Sequence, residues 1–187
     1  MIVFLMTAEE VQDKNCRIEG LLATISNGNS QAIGELYDLI KTDVFAYALS
    51  KTGNKYDADD VVQDTFVQVY KHARQYKPKG KPLAWIVRIE LNLIRRRYQL
   101  KAREAVFDDS FNNTPASENM EENVVRNVFL KELLSTLNED EREVVTLHVV
   151  SGMRHREIAQ LLEKPLSTVL SKYNRAIKKL QLVVKEK

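Results

Sequence analysis

"HREIAQLLEKPLSTVLSKYNRAIKKL", residues 155–180, is where the reading of this chain begins. It divides into a short apolar-periodic run, a tight turn around Lys164, Pro165 and Leu166, and a second amphipathic run that Ser167 or Thr168 would cap. Two helices joined by so short a turn need apolar residues to lock them together, and Ile158, Ala159, Leu162, Val169 and Ile177 have the spacing for it. Ser171, Lys172, Arg175, Lys178 and Lys179 are left to face outward. A helix presented in this way can enter the DNA major groove, with its early polar residues at base edges and its later cations at phosphates. The same pattern also suits a solvated helix in a three-helix bundle.

Helical periodicity extends upstream. Ile33, Leu36, Tyr37, Ile40, Val44, Tyr47 and Ala48 recur at steps of three and four, and Gly53 stands where that helix would stop. The segment "YDADDVVQDTFVQVYKHARQY" (56–76) follows, with Asp57 as the expected N-cap, acids in the first turn and basic residues near the end. After the loop "KPKGK", Pro82 occupies a natural first helical position, and Leu83, Ile86, Val87, Leu93 and Ile94 carry an apolar stripe past Trp85 and Asn92. Residues 105–122 break the pattern with Asn, Ser, Thr, Pro and acids, and read as a flexible acidic linker. The helical period resumes in "NVVRNVFLKELLSTL" (123–137) and in a helix capped by Asn138 and Glu141 that stops at Gly152. The reading is all-α: a helical domain over 1–104, the linker, and a second helical domain over 123–187 containing the helix-turn-helix.

The chain has 187 residues, 44% of them apolar, enough for one medium domain or two small ones with packed cores. Its net charge of +2 conceals a strong segregation. Nine Lys or Arg residues face the single acid Glu90 between Lys77 and Arg103, six acids and no base lie between Glu104 and Glu122, and seven bases accompany Glu186 from Lys164 onward. Two basic surfaces separated by an acidic connector suit a protein that meets a polyanion at two places. The opening "MIVFLM" lacks the flanks of a signal peptide and no segment approaches a membrane span, so a cytoplasmic protein without membrane insertion is expected. The one cysteine, Cys16, rules out an internal disulfide and reads as a small apolar residue.

Catalytic patterns are missing from the sequence. The six glycines form no phosphate-cradling loop, and "HREIA" lacks the second His of a zinc-protease helix. His72, His148 and His155 fall on separate helices with no matching ligand cluster, which reads as surface or interhelix packing. No catalytic residue, metal or cofactor is expected. Trp85 reads in two ways, as a packed residue of the apolar stripe and as an aromatic for an unstacked base.

Asp60, Gln63 and Asp64 sit at i, i+3 and i+4, on one helix face opposite much of the Val62, Phe66 and Val69 stripe. "DADDVVQDTFVQVY" together with "PLAWIVRIELNLIRRRY" resembles region 2 of bacterial sigma factors of the extracytoplasmic-function (ECF) type, and "LSTLNEDEREVVTLHVVSGMRHREIAQLLEKPLSTVLSKYNRAIKKLQ" resembles region 4 of the same family. The resemblance covers residues 25–182 in the family's order. It implies a dissociable factor that binds bacterial core RNA polymerase and directs promoter recognition, melting and initiation, in response to envelope or environmental stress, with an anti-sigma factor as a further partner. It implies that Asp60, Gln63 and Asp64 bind the polymerase. It implies that Lys77, Lys79, Lys81, Trp85, Arg88, Asn92, Arg95 and Arg96 hold the single non-template strand at the minus-10 element. It implies that Arg154, His155, Ser167, Thr168, Ser171, Lys172, Arg175, Lys178 and Lys179 bind duplex at the minus-35 element, and that residues 105–120 run through a polymerase channel. The chain departs from the family pattern at Arg96, where relatives commonly have an acid nearby, and at Leu170, where they commonly have a base. A conventional helix-turn-helix regulator and an enzyme or scaffold remain the alternative readings.

Overall fold

A computed structural model describes residues 8–105 and 135–185. The acidic linker and all but the end of the helical run over 123–137 lie outside the described residues, so both remain expectations. Every described element is helical. They are α1 (Ala8–Ser26), α2 (Ala32–Thr52), α3 (Lys55–His72), a 3-10 turn (Ala73–Gln75), α4 (Pro82–Ala105), α5 (Glu139–Ser151), α6 (His155–Leu162) and α7 (Leu166–Lys185).

The ends of these helices follow from local chemistry. Gly53 closes α2 in the left-handed region (φ 66°), its N–H donating to the Leu49 carbonyl at 2.9 Å. Asn138 and Glu141 form the reciprocal capping box of α5, and Gly152 (φ 64°) ends it. Two expected caps are replaced. Asn54, not Asp57, caps α3 by accepting from the Tyr56 N–H at 2.8 Å. α7 starts at Leu166, one residue after Pro165, whose carbonyl accepts from the N–H groups of Thr168 and Val169, so Ser167 and Thr168 lie inside the first turn instead of capping it.

α2 is the central element, packed by α1, α3 and α4 on the N-terminal side and by α5 on the other. That explains its apolar character on several faces: Leu36, Ile40, Val44, Tyr47 and Ala48 are all buried. The core is continuous across the two halves of the chain, running from Ile18, Leu22 and the α2–α4 residues through Val144 and Leu147 of α5 to Ile158, Leu161 and Leu162 of α6 and Val169 of α7. The described halves thus form one closed body. Ion pairs reinforce the seam: Lys51 meets Glu139 at 3.1 Å and Glu143 at 3.3 Å, and Lys81 meets Glu157 at 2.5 Å. Burial alone would lower the Lys51 pKa, but the two carboxylates outweigh it and raise it.

Candidate functional site

On α3, burial of Val61, Val62, Thr65, Phe66 and Val69 turns Asp60 and Gln63 to solvent, with Asp64 half-buried beside them. The three share one face, as their spacing requires. Asp64 Oδ2 accepts from Arg97 of α4 at 2.5 Å, which orients the carboxylate and ties α3 to α4. Arg97 belongs to the 95–97 arginine run that reads as cations for the strand; its pairing with Asp64, 33 positions away, leaves no periodic signal. A cleft of about 310 Å³ opens next to this face between Asp57, Asp60, Arg97, Tyr98 and Leu100.

The basic segment takes its shape from α4. Burial of Leu83, Ile86, Val87, Glu90, Leu91 and Ile94 leaves Arg88, Asn92, Arg95 and Arg96 exposed, with Lys77 and Lys79 exposed on the loop before the helix. Trp85 is half-buried against the core, its ring 5.2 Å from that of Tyr76 at a 58° tilt, so it packs while remaining partly exposed. Two of the cations expected at DNA are occupied by the C-terminal half: Lys81 by Glu157, and Arg95, whose guanidinium donates to the Leu161 carbonyl at 3.4 Å. Glu157 also accepts from the Arg154 N–H at 2.7 Å, so one carboxylate caps α6 and grips the loop lysine. Burial would raise its pKa, but Lys81 and the Arg154 N–H hold it below the usual carboxylate range.

Glu90, the single acid of the basic segment, is fully buried, and neither carboxyl oxygen has a hydrogen-bond partner among the described residues. Burial therefore pushes its pKa well above the ordinary value, the Ala48 backbone offsetting only part of the effect, and this favours the neutral carboxyl. It is a core residue and takes no part in the exposed face.

In the helix-turn-helix, α6 ends at Glu163, a non-glycine residue in the left-handed region (φ 54°), and α7 begins after Pro165. Ile158, Ala159, Leu162 and Val169 are buried as their spacing requires, but Ala176, not Ile177, completes the lock, with Tyr173 and Leu180 packed beside it. This small change of phase matters, because the stripe packed against the core is 169, 173, 176 and 180. The open face then carries Ser167, Leu170, Ser171, Asn174, Arg175 and Lys178, while Thr168 is half-buried. Asn174 was missed, although it stands three residues after Ser171.

Lys172 and Lys179 lie on the flank of that face, against the acidic start of α5. Asp140 accepts from Lys164 at 2.5 Å and from Lys172, whose side chain is only 16% exposed. Those two ammonium groups hold the Asp140 pKa down at about 2. Glu141 accepts from Lys179 at 2.7 Å, with Arg175 3.9 Å away. His155 is turned inward: its ring stacks on His148 at 4.6 Å, both meet Tyr173 edge-on, and its Nε2 is buried. Burial, then the neighbouring His148, lowers its pKa and favours the neutral ring. Arg154 remains exposed at the start of α6.

Among the described residues no group of three or more His, Cys, Asp and Glu could hold a metal ion, and no helix is long and apolar enough to cross a membrane.

Fold and surface together define a helical protein with an exposed polar face on α3, a basic segment on and before α4 and a helix-turn-helix in one chain. Residues 36–104 match the family model of sigma-70 region 2, and residues 130–180 match that of sigma-70 region 4. The chain belongs to the sigma-70 family, in its ECF branch. It is 25% identical over 89% of its length to the ECF RNA polymerase sigma factor BldN of Streptomyces coelicolor, and 30% identical over 74% to the ECF RNA polymerase sigma factor SigE of Mycolicibacterium smegmatis. It spans 65% and 56% of the length of these two relatives. Among solved structures it is similar to that of CnrH, a sigma factor of Cupriavidus metallidurans, in complex with the cytosolic domain of CnrY, with a TM-score of 0.60, 27% identity, and coverage of 91% of this chain and 98% of that one.

Proposed function

We propose that this chain is a dissociable sigma factor of the cytoplasm: it joins bacterial core RNA polymerase, directs it to promoters and helps open them, without a catalytic step of its own. The observation that carries the reading is the presence of both sigma regions in one chain, in order, each with an exposed face of suitable chemistry. Asp60, Gln63 and Asp64 dock on polymerase. Lys77, Lys79, Arg88, Asn92 and Arg96, with Lys81 and Arg95 once released, hold the non-template strand at minus 10, where the partly exposed Trp85 offers its ring to an unstacked base. At minus 35, the exposed face of α7 around Ser167, Thr168, Ser171 and Arg175 reads duplex, with Lys178 and Arg154 at phosphate. Lys172 and Lys179 brace that face from its flank and His155 from the packed side.

The two promoter elements lie some 25 base pairs apart, or about 85 Å at 3.4 Å per pair. A compact chain of this length has a radius of gyration of about 16 Å, hence roughly 40 Å across. The closed body therefore cannot touch both elements at once, and the two halves separate for work. The 17 linker residues from 106 to 122 can reach about 60 Å when fully extended, and the helical run expected over 123–134 adds about 18 Å, enough for that separation once the width of the two halves is included. CnrH is seen with the cytosolic domain of CnrY, which supports a protein inhibitor, an anti-sigma factor, as a partner here too, with release under envelope or environmental stress.

The test is co-purification with bacterial core polymerase. Wild type should bind, and Asp64→Lys should weaken binding by about 1–3 kcal/mol through like-charge repulsion. Equal binding of the two, or a chain that binds duplex DNA as a dimer and ignores polymerase, would overturn the reading.

A further inference from the structure

The loop 76–81 is held from a place the sequence did not suggest. Oε1 of Glu19, a half-buried residue of α1, accepts both from the Tyr76 hydroxyl at 2.6 Å and from the Gly80 N–H at 2.9 Å. One oxygen thus ties together the two ends of the loop that carries Lys77 and Lys79. Gly80 is in the left-handed region (φ 70°), so the loop turns sharply enough to bring its N–H to the carboxylate. Tyr76 in turn lies against Trp85. The end of the same helix makes a second attachment, since the Ser26 carbonyl accepts from Arg74 Nε at 3.2 Å, just before the loop.

An acidic group beside a strand-binding segment repels the very polyanion that segment serves. Its presence there calls for a positional reason, and its two hydrogen bonds supply one. Burial, followed by the Glu19 hydrogen bond and charge, raises the Tyr76 pKa, so the phenol stays a donor. Charge-assisted bonds of this kind are stronger and geometrically stricter than neutral ones.

We propose that Glu19 is a positioning residue for minus-10 readout: its carboxylate fixes the 76–81 loop and the Tyr76–Trp85 pair in the form that receives the non-template strand. This rests on the sigma-factor reading above and adds to it a residue of α1, which lies outside the matched region 2. Glu19 need not touch DNA. It sets where Trp85 and the loop cations stand, and so which base is accepted there.

The experiment is transcription by core polymerase with the full chain, on a promoter library randomised in the minus-10 element with minus 35 held constant. Glu19→Ala should flatten base preference at one or two minus-10 positions by about tenfold, the size of one lost specific contact. Glu19→Gln keeps an oxygen able to accept both bonds but loses their charge assistance, and should retain most of the wild-type preference. Tyr76→Phe, a milder change, should flatten the same positions, and adding it to Glu19→Ala should have little further effect. A merely structural role would lower output on every promoter alike. Uniform loss with unchanged base preference in both Glu19→Ala and Tyr76→Phe would overturn the proposal. If wild type itself selects no promoter, the sigma-factor reading fails, and this proposal fails with it.

Discussion

Glu143→Gln should open the closed body. Glu143 and its partner Lys51 are nearly out of solvent, with side chains 9% and 11% exposed, and they join α5 to α2 across the seam. The substitution preserves shape and removes the charge, leaving Lys51 with Glu139 alone, which is 77% exposed and well screened. Removing one partner of a buried pair typically costs 3–5 kcal/mol, but Glu139 remains, so about 2 kcal/mol is the reasonable figure. At 1.4 kcal/mol per decade that moves the closed-to-open ratio about 30-fold. Glu139→Gln, at the wet end of the same network, should move it less than about threefold. Single-molecule energy transfer between Cys16, exposed on α1, and a cysteine introduced by Gln181→Cys on α7 would read the two populations. The opened variant should also bind core polymerase faster, since less of the population must unlock first. Equal effects of Glu143→Gln and Glu139→Gln, or no shift in either, would refute the argument that the buried pair holds the halves together.

Other consequences concern charge and the DNA face. Glu90→Leu should raise the melting temperature at pH 7.5, because burial favours the neutral carboxyl in the folded chain while the unfolded chain ionises it. That penalty is absent below the ordinary carboxylate pKa and grows as pH rises, so the gain in melting temperature should shrink toward pH 4.5. Asp140→Asn should destabilise by about 1 kcal/mol, discounted because the side chain is 43% exposed. With a folded pKa of about 2 set against an ordinary value near 4, the wild-type contribution is present above pH 4 and is lost as pH falls toward 2, as acid titration of melting would record. Arg175→Ala should cost about 1–3 kcal/mol and relax preference at one minus-35 position, whereas Lys178→Ala should weaken all promoters alike and lower the salt slope by about one, measured by competition transcription and salt-dependent binding.

Features encoded within a few residues were legible before the fold was known. The stop at Gly53, the Asn138–Glu141 box, Pro82 at the start of α4 and the apolar stripes all arise from contacts between near neighbours along the chain. Errors arose where two local solutions compete. Asn54 and Asp57 can each cap a helix, and the choice falls to whichever residue is in extended backbone when α3 begins. The phase of α7 was off by one residue because Ala176 and Ile177 are both apolar, and only packing against α5 shows that the smaller one fits. That single step moved Lys172 and Lys179 to the flank and exposed Asn174. The hold of Glu19 on a loop some 60 positions away, the Lys51–Glu143 pair and the Arg97–Asp64 pair leave no trace in periodicity, since ion pairs between distant positions carry no repeat.

The most direct measurement for the central claim is genome-wide mapping of start sites made in vitro by bacterial core polymerase with and without this chain. The account predicts a defined set of new starts that share sequence at both minus 35 and minus 10, dependent on Asp64 and on the exposed face of α7. An unchanged set of starts in the presence of the chain, or new starts that persist in the Asp64→Lys variant, would contradict it.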